Sequence, residues 1–333
     1  MTNRFPNSLT IIFLITVISV SLLVSAGAQD LGKFPQTIIS NDFVTMKLYL
    51  PDKEKGLYRA TRFDWSGVIA SLQYKGHEYF GYWKDTHDPT VHEDLTGPVE
   101  SYNKPGLGYE EAKPGEKFIR IGVGILEKPD EKEYQAFKTY PFVDHGKWEV
   151  SSGKDWIEFK HRIDSDFGYA YIYTKRIELI KNKPGFVIHH ALENTGDKTI
   201  ETDQYNHNFF MIDGEESGPN LEVSFPYSIS TEEDLQDLMA IRNDKLVFLR
   251  DLENDRIWME LSGFRNKSED HQFTMRNKKT GAGVHVSMDR PLHRMVFWAC
   301  RTTFCPENFI WISVAPGESF SWSLNYELFL EEE

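Results

Sequence analysis

Short runs in which apolar and polar side chains alternate fill most of this chain, and no other feature constrains its fold as tightly. The pattern is clearest over 156–162, 170–179, 186–192, 309–314 and 321–328, and the runs are separated by turns built from Gly, Asn, Asp or Pro. Side chains on an extended strand point alternately to opposite faces, so a period of two buries one face and wets the other. Repeated many times, it gives antiparallel sheets packed face to face. Only 231–244 reads as a helical insertion, because Ser230-Thr231-Glu232-Glu233 has the form of a capping signal. Two irregular stretches, 81–117 and 263–283, interrupt the strands; a long loop in a compact β domain is usually a binding loop or a disordered one. No repeat, low-complexity linker or break in composition divides the chain. The expectation is one all-β domain over 29–333, a large antiparallel β-sandwich.

Arg4 precedes an apolar run over 9–24, which ends in Ser25-Ala26-Gly27-Ala28. A charged start, an apolar stretch short for a membrane span and a small-residue site predict a cleaved signal peptide, residues 1–28, and a periplasmic or secreted protein. The full chain has 37 basic and 51 acidic residues; losing Arg4 with the signal leaves 36 against 51, a net charge of −15. Such a surface repels phosphate backbones and anionic lipid, which argues against nucleic acid and, after cleavage, membrane as partners. A local basic pocket can still take an anionic ligand. Cys300 and Cys305 are the only cysteines, which excludes a four-cysteine zinc site. A disulfide across a hairpin and two free thiols both remain open.

His207 stands between Asn206 and Asn208 in the segment Gln204-Tyr205-Asn206-His207-Asn208-Phe209-Phe210, just after a strand that ends in an Asn194-Thr195-Gly196-Asp197 turn. A neutral imidazole there can take or give a proton near neutral pH, or can simply satisfy its neighbours as a half-buried strand residue. The stretch 81–117 carries Trp83, His87, Asp88, His92, Glu93 and Asp94. Imidazoles and carboxylates this close invite a metal reading. Their spacing matches no ligand set, however, and Pro89 breaks the helix that would bring His87 and His92 together. The expectation is a substrate-contacting loop, with no metal and no cofactor.

The His207 segment resembles the central signature of the galactose mutarotase-like (aldose 1-epimerase) superfamily. There a strand ending in an "A-x-N-x-(S/T/G)-(D/K)" turn leads into "(N/Q)-x-(T/Y)-N-H-x-(Y/F)-F", and 191–210 follows that layout. Flanking matches span nearly the whole mature chain. Residues 67–78 resemble the N-terminal "G-x-I-x-S-L-x-x-x-G-x-E" hairpin, and 315–322 the C-terminal "L-x-P-G-E-x-(F/Y)-x-W" strand pair. The resemblance implies the supersandwich fold, a sugar substrate and His207 as catalytic acid. Trp65, Trp83, Trp298 and Tyr205 then become candidates for stacking on a sugar ring.

The family's base is a glutamate in a "C-(L/I)-E-x-x-x-x-P" pattern. Counting back from Pro306 puts Arg301 in its place, and Glu307 substitutes only if the strand register differs. A guanidinium accepts no proton near neutral pH but holds a planar carboxylate at two points. The expected function is therefore an exported enzyme acting on acidic, uronate-containing oligosaccharides. In that reading Arg301 clamps the carboxylate, His207 or Tyr205 removes the C5 proton, and β-elimination of the dehydratase or lyase type yields a 4,5-unsaturated sugar. Within the superfamily this pattern is most similar to proteins of polysaccharide-utilisation systems in marine bacteria, including an oligosaccharide dehydratase of ulvan breakdown. Substrate binding is assigned to Asn206, His87, His92, Trp83, Arg120, Trp298 and Glu307. The rivals are an aldose 1-epimerase or related epimerase with Glu307 as base, and a carbohydrate-binding protein without chemistry.

Overall fold

The computed structural model describes residues 31–102 and 105–331; the predicted signal peptide lies outside them. Ten strands form one antiparallel sheet. It runs from Met239–Arg242 through Lys245–Phe248, Leu221–Ser224, Gln272–Asn277, Ala282–Met288, Ser319–Leu330, Gly185–Asn194, Tyr171–Leu179 and Trp156–Ile163 to Lys147–Ser152. Smaller sheets of five, four and three strands share its apolar core. One buried cluster draws Ile177, Phe186 and Trp322 from the large sheet, Phe297 and Ile310 from the five-stranded, Met46 from the four-stranded and Ile125 from the three-stranded. The fold is the expected all-β sandwich.

The alternation does what it should. Tyr171, Tyr173, Lys175, Ile177 and Leu179 are buried while the residues between them are half-buried. Each fully buried large apolar side chain contributes roughly 2 kcal/mol. Lys175 and His190 break the apolar series on the inner face, and both find partners inside. Lys175 is ion-paired with Glu100 and lies 3.8 Å from Asp64, all three fully buried, and His190 Nε2 is 2.9 Å from Glu100. The polar cluster ties the large sheet to Glu100 on Val99–Ser101, a strand of the five-stranded sheet.

Three expectations from the sequence are corrected. Residues 231–244 hold no helix: Met239–Arg242 and Lys245–Phe248 pair as a hairpin whose turn residue Asn243 has a φ of 60°. The supposed cap serves a local turn, with Glu233 N donating to Thr231 Oγ1 at 3.2 Å. The stretch 263–283 contains a true strand, Gln272–Asn277, with Phe273 and Met275 buried. The stretch 81–117 is not all loop either, since Val99–Ser101 within it pairs beside Ile200–His207. Cys300 and Cys305 are buried free thiols. Across their hairpin Cys300 faces Thr303 and Cys305 faces Trp298, so the two are not opposed.

Candidate active site

The five-stranded sheet runs in the order Ile257–Leu261, Arg294–Cys300, Thr303–Val314, Ile200–His207, Val99–Ser101. Tyr205 pairs with Phe309, so two residues further along both strands His207 meets Glu307. Residues two apart on a strand share a face. Tyr205 and His207 therefore lie with Glu307 and Phe309, and the next strands add Arg294, Val296, Trp298 and Trp258 to that face. All eight line one cavity of about 310 Å³, which Arg62, Glu93, Phe137, Phe209 and Arg256 help to close.

At its floor, His207 Nε2 stands 3.3 Å from Glu307 Oε1. Aromatic rings hold the imidazole. Phe209 stacks on it at 3.8 Å, Phe63 meets it edge-on at 5.5 Å and Trp298 at 5.2 Å. Phe209 reaches that position because its backbone leaves the strand in the left-handed region, φ 45°, uncommon for a residue with a side chain. Trp83 stacks on the far side of Phe209 at 5.4 Å.

Burial governs the charges. It pushes the Glu307 carboxyl up to about 8, with Arg62 and Arg294 pulling the other way. Burial, and then Arg62, hold His207 well below the usual imidazole range. Both shifts favour the neutral pair, a protonated Glu307 carboxyl beside an uncharged His207 imidazole. Burial also pushes Tyr205 up to about 12, against the pull of Arg62, whose Nη2 donates to the phenol oxygen at 3.1 Å. Tyr205 is a poor base.

The structure brings His207, Tyr205, Trp298 and Glu307 together, adds Glu93 from the expected substrate-contacting loop, and leaves the other predicted residues outside the cavity wall. Arg301 does not face His207. It sits in the turn between Arg294–Cys300 and Thr303–Val314, exposed and ion-paired with Glu216, because the hairpin reverses at Arg301-Thr302 and the inward carboxylate comes from the returning strand. Asn206 points to the opposite face, donating to Glu100 Oε1 at 2.9 Å. His87 is held by Tyr82 and Asp94 and lies 2.8 Å from the Leu57 carbonyl. His92 packs on the cavity residue Phe137 at 4.9 Å. Trp83 is a second layer behind Phe209 and donates to the Leu95 carbonyl at 2.9 Å. Arg120 is buried and donates to the Arg62 carbonyl at 3.0 Å, so it supports a cavity residue rather than lining the cavity. Trp65 is buried against Phe142.

Sequence reasoning missed Arg62, Arg256, Arg294 and Trp258. Strand alternation from Trp298 back to Arg294 would have found one of them; Arg62 lies in irregular chain, where no periodicity marks a direction.

By sequence the chain matches no family model and no curated protein. Solved structures do match its fold. The Slr1438 protein of Synechocystis sp. PCC 6803 superposes with a TM-score of 0.56 at 12% identity, over 90% of this chain and 97% of that one. A GalM/aldose epimerase homologue from C. elegans gives 0.55 at 12%, over 89% and 99%. A galactose mutarotase related enzyme from Lactobacillus acidophilus gives 0.54 at 14%, over 88% and 97%. Among its structural neighbours are galactose mutarotase-like proteins, and the fold of this chain is the galactose mutarotase-like β-sandwich.

Proposed function

We propose that this chain is an enzyme that opens and recloses the ring of an acidic sugar at its anomeric carbon, with His207 and Glu307 as the acid–base pair. One observation carries the reading: the two side chains stand 3.3 Å apart and both line the cavity, where burial raises the carboxyl and lowers the imidazole, so that one can give a proton and the other take one. Ring opening needs that arrangement. One member takes the anomeric hydroxyl proton while the other delivers its proton to the ring oxygen. The bond from the anomeric carbon to the ring oxygen breaks, the anomeric C–O becomes a carbonyl, and rotation followed by the reverse steps gives the other anomer. The proton count of the pair is unchanged. The shifts favour Glu307 as the acid and His207 as the base, the reverse of the roles implied by the resemblance; contacts to the substrate decide which tautomer reacts. The names of the solved neighbours, aldose epimerase homologue and galactose mutarotase related enzyme, support the same class.

Arg62, Arg256 and Arg294 on the cavity wall support an anionic substrate, replacing the clamp expected of Arg301. They also favour a second reading, β-elimination from a uronate-containing oligosaccharide, in which a guanidinium stabilises charge developing on the carboxylate as the C5 proton leaves. Export of the chain remains part of the proposal, on the strength of Arg4, the apolar run and the small residues before Gln29. The test is polarimetry on freshly dissolved glucuronic and galacturonic acid anomers, with ultraviolet absorbance followed on uronate oligosaccharides. Faster relaxation of rotation supports ring opening. New absorbance from an unsaturated uronate would replace it with elimination, and neither signal would overturn both.

A further inference from the structure

Among the described residues one group of three ligand-type side chains converges: a ring nitrogen of His207, Cys305 Sγ and a Glu307 oxygen lie within 4.8 Å of one another, all buried. We propose that they form a binding site for a thiophilic divalent cation, Zn²⁺ in the first instance. The contact of 3.3 Å between His207 and Glu307 matches the separation of about 3.3 Å expected for nitrogen and oxygen ligands that each sit about 2.0–2.1 Å from a tetrahedral zinc. Cys305 and Glu307, two apart on Thr303–Val314, reach the position from the same strand face. In its present rotamer the sulfur already lies within 4.8 Å of both other ligand atoms.

A further observation points to a ligand. Cys305 Sγ accepts the backbone N–H of Asn208 at 2.8 Å, the kind of outer-shell donor that orients a metal-bound sulfur. His207 and Glu307 line the cavity, so the fourth position opens toward it, the layout of a zinc site with an exchangeable ligand. A thiolate and a carboxylate balance the charge of the ion, which limits its repulsion by Arg62 and Arg294. The bound cation engages the lone pairs used for proton transfer, so the metal-loaded and proton-transferring forms exclude each other. The site itself stands whether or not the pair turns over a sugar.

The experiment is a titration of the purified, chelator-treated protein with CoCl₂ followed by absorbance, then Zn²⁺ calorimetry. The expected result is a thiolate-to-cobalt charge-transfer band saturating at one equivalent and displaced by Zn²⁺. Cys305→Ser should abolish the band and weaken Zn²⁺ by at least about tenfold, while Cys300→Ser changes neither. Should Cys305→Ser fail to fold, Glu307→Gln keeps the sulfur and should weaken Zn²⁺ by a similar factor. No band in the wild type, a band that survives Cys305→Ser, or Zn²⁺ affinity unmoved by Glu307→Gln overturns the proposal. None of these readouts uses sugar turnover, so failure here leaves the acid–base reading intact.

Discussion

His207 and Glu307 stand 3.3 Å apart on neighbouring antiparallel strands, walled by Phe209, Phe63 and Trp298. Aromatic walls exclude water, which raises the carboxyl and depresses the imidazole until a neutral pair is preferred.

If that pair does the chemistry, His207→Ala and Glu307→Gln should each lower the polarimetric rate on a uronic acid by about 10²–10⁴-fold. Circular dichroism should show both variants folded. Activity within about tenfold of wild type would remove the substituted residue from proton transfer.

Arg301 is the opposite case. Its pairing with Glu216 is exposed on both sides, with side-chain exposures of 46% and 53%, and such pairs contribute about 0–1 kcal/mol. Arg301→Glu should therefore leave turnover unchanged and shift the melting temperature by less than about 4 °C. A large loss of activity on acidic sugars alone would restore the clamp expected from sequence.

Lys175 lies fully buried between Glu100 and Asp64. Burial raises both carboxyls, but Lys175 and His190 more than offset this at Glu100 and hold it low, while Asp64 stays raised; the lysine charge is matched chiefly by Glu100. Lys175→Met would strand an ionised carboxylate and should cost about 3–5 kcal/mol in urea unfolding. A cost below about 1 kcal/mol would mean that Glu100 is protonated in the variant and the network readjusts.

Acid should weaken the fold well before its solvent-exposed carboxylates protonate. His161 and His271 are held down to about 4 by burial, against an ordinary 6.5. Their folded values are depressed, so the unfolded chain takes up protons that the folded chain refuses. The contribution is fully present above pH 6.5 and is lost as pH falls toward 4, reaching roughly 3 kcal/mol for each group. Urea midpoints should fall between pH 6.5 and 5, and His161→Gln should reduce the slope. A slope unaltered by that change would mean His161 is protonated in the folded state.

What the sequence by itself determined is what depends on near neighbours. Alternation of apolar and polar residues makes strands through local geometry, so the all-β sandwich was legible, as was His207, embedded in its own Asn-His signature. Local signals also misled where they were weak: Ser230-Thr231-Glu232-Glu233 offered a cap, but Met239 and Leu246 could be buried only as a hairpin against the core. Only the tertiary structure decided the partner of His207. That choice rests on where one hairpin reverses, since turning at Arg301-Thr302 sends Arg301 outward and brings Glu307 level with His207. A shift of one residue would turn the other strand face inward, and that register is set by packing across the whole sheet, which no count along the chain contains. The arginines of the cavity follow the same logic. Arg62 and Arg294 are more than two hundred residues apart in sequence and meet at one carboxylate because the fold, not their local context, brings them there.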